Sequence, residues 1–207
     1  MEAAHGDGVE AALTGHRRPT VGSVAYLEPV DRIPFPGERP PAPGRLALLQ
    51  RFVNTVDYEH GREVLHSPAK LRTLLLDLGL LAPSARVTAA DLRAAHELRE
   101  AVRALALANN GVETDVVLEA ELVATVGAED AALESPATGV DGALATLVGI
   151  VYTAIADGTW PRLKACSRDV CGWLFYDRSR NRSARWCQMA VCGNRTKTRA
   201  YRARRVR

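Results

Sequence analysis

The 207-residue chain has four cysteines, Cys166, Cys171, Cys187 and Cys192, spaced as two C-x4-C pairs with fifteen residues between them. Two short-spaced pairs joined by a hairpin-length loop are what a tetrahedral thiolate site requires. A segment as short as 161–207 cannot bury enough apolar surface to fold unaided, so a bound metal is expected to supply the missing stability. If all four cysteines are ligands, no position is left for water or substrate, and the site is structural. One zinc ion is the expected occupant. An iron–sulfur cluster and a pair of disulfides are the competing readings. The first twenty residues carry charges and histidines and lack an apolar centre, so no secretory signal is expected there. Reduced thiols follow, which favours metal over disulfides. Trp173, Phe175 and Trp186 are expected to form a small core beside the cysteines.

Charge is distributed as unevenly as the cysteines. Residues 160–207 hold 14 Lys and Arg against two acids, whereas the rest of the chain is net −9. A basic end on an acidic body points to a polyanion partner, DNA first. Packing of the basic tail on the acidic half is the alternative. If the last segment is helical, Arg195, Arg199 and Arg202 stack at i, i+4 and i+7, flanked by Lys197, Arg204 and Arg205. Arg178, Arg180, Arg182 and Arg185 lie in the loop between the cysteine pairs. These arginines either grip nucleic acid or brace the fold, with Asp177 as one expected brace. Gly193 and Asn194 are expected to shape the turn that starts the helix.

Ahead of the cysteines the chain reads as mainly α. Residues 1–43, crowded with proline and glycine, are expected to form a disordered arm, with a short strand at Val21 to Val30. Residues 44–160 read as a helical domain. Leu48, Leu49, Phe52, Val53 and Val56 share one helical face. Ser67-Pro68 opens a second helix, which Gly79 ends. Thr88 with Asp91 opens a third as a capping-box variant, lined by Leu92, Ala95, Leu98, Val102 and Leu105 and broken at Asn109-Asn110-Gly111. Thr114 to Val126 is expected to form a fourth helix, Gly127 to Val140 a loop, and Leu144 to Ala156 a fifth, buried helix. The longest uncharged run, Gly142 to Ala156, is too short to cross a bilayer, so no membrane partner is expected. Residues 161–207 then read as the four-cysteine module, with short strands at Arg162 to Ala165 and Trp173 to Tyr176 and a basic C-terminal helix.

The run CGWLFYDRSRNRSARWCQMAVCGNR, Cys171 to Arg195, resembles the CGNR zinc-finger family. It carries the tetrapeptide Cys192-Gly193-Asn194-Arg195, the Asp-x-Ser-Arg-Asn stretch at Asp177 to Asn181, and Trp186-Cys187. Upstream, Leu46 to Glu63 and Ser67 to Leu81 resemble the helical ABATE domain that precedes this finger, with Asn54-Thr55 its most recognisable dipeptide. Leu74 departs from that pattern, which has tryptophan there. The resemblance implies a stress-linked transcription regulator.

The function expected is a zinc-finger, DNA-binding transcription regulator, cytoplasmic and associated with the nucleoid. Its helical domain would sense a small-molecule effector or form a homodimer. The alternative is an interaction module whose basic finger docks an acidic protein surface. Asn54 lies off the apolar stripe and either bonds a neighbouring loop or, with Thr55, lines an effector pocket. Catalysis is not expected. His5, His16, His60, His66 and His96 are scattered away from the cysteines, and no nucleophile–base or phosphate-loop spacing occurs.

Overall fold

The computed structural model describes residues 39–128 and 131–205. The strand expected at Val21 to Val30, and most of the expected arm, lie outside them. Helix accounts for 46% of the chain and strand for 11%, so the mainly α expectation holds.

Four helices build the first half: α1 (Leu46–Val53), α2 (Pro68–Asp77), α3 (Ala89–Ala108) and α4 (Gly139–Ala156). Local chemistry sets their ends. The Ser67 hydroxyl accepts from the Lys70 N–H with Pro68 in the first turn. Thr88 and Asp91 form a reciprocal capping box, at 3.2 Å and 2.6 Å, satisfying two otherwise orphaned N–H groups. α2 closes in a Schellman motif. Gly79, at φ +67°, donates to Leu76 and Leu80 donates to Leu75, a left-handed step that glycine takes without steric cost.

α1 ends at Val53, short of the expected face. Val56 falls instead in β1 (Val56–Asp57), which pairs antiparallel with β2 (Arg62–Glu63) and remains buried. The helix expected over Thr114 to Val126 is absent. Residues 112–122 run without regular structure, and β3 (Val123–Val126) pairs antiparallel with β4 (Ala131–Glu134) inside the expected loop. Val116, Val117, Val123, Thr125 and Val126 are β-branched and favour extended backbone. Val116 and Leu118 are half-buried while Val117 between them is exposed, the period of a strand rather than a helix.

Of the described helices, α4 is the one long and apolar enough to cross a bilayer. Here it packs on α1 and α3 and buries Val140, Ala143, Leu147, Ile150, Val151 and Ala154. It starts five residues earlier than its apolar run suggests.

A 3₁₀ turn, Trp160–Arg162, leads into the antiparallel hairpin of β5 (Leu163–Ala165) and β6 (Leu174–Tyr176), both at the expected positions. The register pairs Leu163 with Tyr176, Lys164 with Phe175 and Ala165 with Leu174. Since successive strand residues face opposite ways, Leu163, Ala165, Leu174 and Tyr176 enter the helical core, while Phe175 packs with the cysteines. A single π-turn, Met189–Gly193, runs into α5 (Asn194–Arg205).

Candidate metal centre

The four cysteines come together. Cys166 follows β5, Cys171 closes a turn through its N–H to the Arg168 carbonyl, Cys187 ends the loop from β6, and Cys192 lies in the π-turn. All are 8% exposed or less, and the four Sγ atoms lie within 4.8 Å of one another. Cys187 Sγ is 3.6 Å from both Cys171 Sγ and Cys192 Sγ. A disulfide needs about 2.05 Å, so these are not disulfides. A tetrahedron with Zn–S bonds of about 2.3 Å has S–S edges of about 3.8 Å, close to the spacing found. A multi-iron cluster would hold the thiolates further apart, so the donor set fits one soft ion. The thiols already perturb one another. Their mutual hydrogen bond holds Cys166 below its ordinary pKa and pushes Cys171 above it.

Small residues and side-chain hydrogen bonds to the backbone shape this centre. A side chain on Gly193 would place Cβ 2.4 Å from Met189 Sδ and 3.3 Å from Trp186 Cε3, so the glycine of the tetrapeptide lets the methionine side chain and the indole pack against the backbone. Thr196 Oγ1 donates to the Cys192 carbonyl at 2.8 Å, and Asn194 Nδ2 to Ala190 at 3.3 Å. Phe175, with Trp173, Trp186, Ala184 and Val191, packs against the cysteines.

Asp177, fully buried, organises the loop between the pairs. Its carboxylate accepts from Lys164 Nζ at 3.0 Å and from the Ser179 and Ala184 N–H groups, each at 2.9 Å. Burial alone would raise its pKa. The Ser179 and Lys164 hydrogen bonds overcome that and hold it down at about 2. Arg182 adopts φ +51°, and its carbonyl accepts from the same ammonium. Lys164, not one of the loop arginines, is the cation paired with Asp177.

The finger is stitched to the helices by polar side chains. The Asn54 amide grips the Leu174 peptide from both sides, donating to its carbonyl at 2.9 Å and accepting from its N–H at 2.8 Å. Gln50 also donates to that carbonyl, at 3.1 Å. Thr55 donates to Phe52 and accepts from Arg99. Arg103 reaches from α3 to Val53 O at 2.9 Å and Gly172 O at 2.5 Å. Asn109 donates to Trp160 and Leu163, and Asn110 to Ala165 and Arg185. In sequence the asparagine pair reads only as a helix breaker. Arg99 and Arg103 carry a clearer signal, because they interrupt the apolar stripe of α3, and arginine on a core face implies buried partners.

The basic residues separate by partner. Arg178 donates to Pro41 O at 2.7 Å and lies over the Tyr176 ring. Arg195 pairs with Glu59 at 2.5 Å and Arg199 with Asp169 at 3.1 Å. Glu59 is also held bidentately by Arg168, at 2.7 and 2.8 Å, which keeps its carboxyl below the usual range. The same Arg168 guanidinium approaches Cys192 Sγ at 3.9 Å. Among the described residues, the side chains of Arg180, Arg182, Arg185, Lys197 and Arg202 are exposed and have no hydrogen-bond or ion-pair partner.

Comparison with known families agrees with this geometry. Residues 44–158 match ABATE, described as a putative stress-induced transcription regulator, and residues 162–205 match the CGNR zinc finger. No curated protein matches the chain. With more than half of its length matched, the chain belongs to the ABATE family and carries a CGNR zinc finger built around the buried four-cysteine cluster.

Proposed function

We propose that the chain is a DNA-binding transcription regulator in which one zinc ion, held by Cys166, Cys171, Cys187 and Cys192, fixes the geometry of a basic surface. The ion's role is structural. It holds the loop 177–186 and α5 in one relative arrangement, and the arginines they carry contact the phosphate backbone. The observation that carries this reading is the set of exposed, unpartnered cations Arg180, Arg182, Arg185, Lys197 and Arg202 on a segment with 14 basic residues against two acids. Bracing accounts for Arg178, but these five have no bracing role among the described residues. Such cations release counterions on binding DNA and give a salt-dependent affinity. The helical domain contributes orientation, through Asn54, Arg103, Asn109 and Asn110. A protein with this ligand works in the cytoplasm, on the nucleoid.

The test pairs metal with binding. Cys187→Ser is expected to lose zinc, measured as metal per chain, and with it all sites enriched by genome-wide crosslinking to DNA. Arg202→Ala is expected to retain zinc, weaken duplex binding and flatten the log–log salt slope by about one. Binding that survives zinc loss breaks the link between metal and function. A partner captured by the wild-type chain regardless of nuclease treatment, with no crosslinked DNA, would replace DNA with an acidic protein surface.

A further inference from the structure

Not all of the basic surface is available. A cleft of about 350 Å³ opens between the first cysteine turn and α5, lined by Arg168, Asp169, Val170, Arg195, Thr196 and Arg199. Its three arginines pair with two carboxylates, of which Asp169 lines the cleft and Glu59 does not. Asp169 comes from the finger itself. Glu59 comes from the turn between β1 and β2 of the helical domain, more than a hundred residues away in sequence. Three guanidinium N–H groups converge on the two Glu59 oxygens, two from Arg168 and one from Arg195. A phosphate presents the same acceptor geometry to arginine forks.

We infer that Glu59 stands where a DNA phosphate binds: two of the cleft's arginines, Arg168 and Arg195, form a phosphodiester subsite, and the helical domain fills it with its own carboxylate. This rests on the DNA-binding reading above. The strengths of the contacts favour exchange. Arg168 is 16% exposed and held by Glu59 beside Cys192, whereas Arg195 is 57% exposed. Water screens a pair whose arginine is this exposed, and it contributes little, so a phosphate can take Arg195 from Glu59 at small cost. The pair between Arg199 and Asp169 is more exposed still, at 81% and 75%, and is as easily exchanged. Glu59 therefore acts as an internal competitor. It lowers the affinity of the finger for DNA, and movement of the β1–β2 turn raises it.

The experiment uses the full, zinc-loaded chain and a fluorescent mixed-sequence DNA duplex, with anisotropy followed over a salt series. Glu59→Gln is expected to bind about three- to tenfold more tightly and to steepen the salt slope by about one. In the Glu59→Gln, Arg195→Ala double variant that gain is expected to vanish, because it acts through Arg195. Glu113→Gln, the same charge change on an exposed residue of the 112–122 segment, is expected to match wild type. Unchanged or weaker binding by Glu59→Gln overturns the inference. So does loss of its zinc, which would make Glu59 a brace, or an equal gain from Glu113→Gln, which would make the effect one of net charge. If neither wild type nor variant binds the duplex, the DNA-binding reading itself falls.

Discussion

Replacing Asp177 by asparagine removes one oxygen from a buried carboxylate that serves three donors. Oδ2 accepts from Lys164 Nζ and the Ala184 N–H, and Oδ1 from the Ser179 N–H. The best orientation of an asparagine leaves its amide nitrogen against the Ser179 N–H. One orphaned buried donor costs about 1–3 kcal/mol. Lys164, 4% exposed, also loses its counter-charge and is left with neutral acceptors, the new amide oxygen and the Arg182 and Ala184 carbonyls. Breaking a buried pair from one side typically costs about 3–5 kcal/mol, and we expect Asp177→Asn to fall in that range. Urea unfolding of the zinc-loaded protein at neutral pH reads this as a lower midpoint at unchanged slope, by about 2 M for a slope near 2 kcal/mol/M.

The pH dependence checks the cause. A carboxyl held at about 2 when folded and 3.8 when unfolded contributes stability that is fully present above 3.8. That contribution, about 2.4 kcal/mol, is lost as pH falls from 3.8 through about 2. The gap between wild type and Asp177→Asn should therefore narrow by about that amount over this window. A neutral-pH loss below about 1 kcal/mol, or a gap that does not narrow with acid, would show that the Lys164 ammonium is satisfied by carbonyls alone.

Two further substitutions test the joints. Asn54→Ala removes two hydrogen bonds to a fully buried peptide and orphans the Leu174 N–H, whereas Gln50 still serves the carbonyl. A loss of about 2–4 kcal/mol is expected in thermal or urea unfolding, and a loss within 0.5 kcal/mol, roughly the scatter of surface substitutions, would mean that the grip is idle. Gly172→Ala forces a side chain onto backbone at φ +57° and brings Cβ to 3.2 Å from Arg103 Cδ. About 1–2 kcal/mol should be lost from the left-handed backbone alone, read in the same assay, with zinc content unchanged.

Much of the molecule was legible because local rules fixed it. Ser67-Pro68 and Thr88 with Asp91 specify their helix starts within four residues, and the cysteine spacing announces a thiolate site before any fold is known. Thr114 to Val126 misled because its charges suggest a helical surface, while its β-branched residues find a hydrogen-bonding partner in Ala131–Glu134. The partners in the stitching were invisible for a different reason. Asn54 meets Leu174 across 120 positions and Asn110 meets Arg185 across 75. Nothing near an asparagine in sequence says which distant peptide it will hold. For the same reason the arginines could not be divided beforehand into those that brace and those that remain open.

The β5–β6 hairpin is too short to have two independent faces. Leu163, Ala165, Leu174 and Tyr176 belong to the helices and Phe175 to the cysteines. Sliding one strand by a residue would exchange the two sets, so the helical core and the metal each fix the same register. Two ligands of one equilibrium are thermodynamically linked, and whatever free energy the helices lend to the metal the metal returns to the helices. The affinity of these cysteines for a metal ion would thus be a property of the whole fold, and removing the ion would also loosen the helical domain.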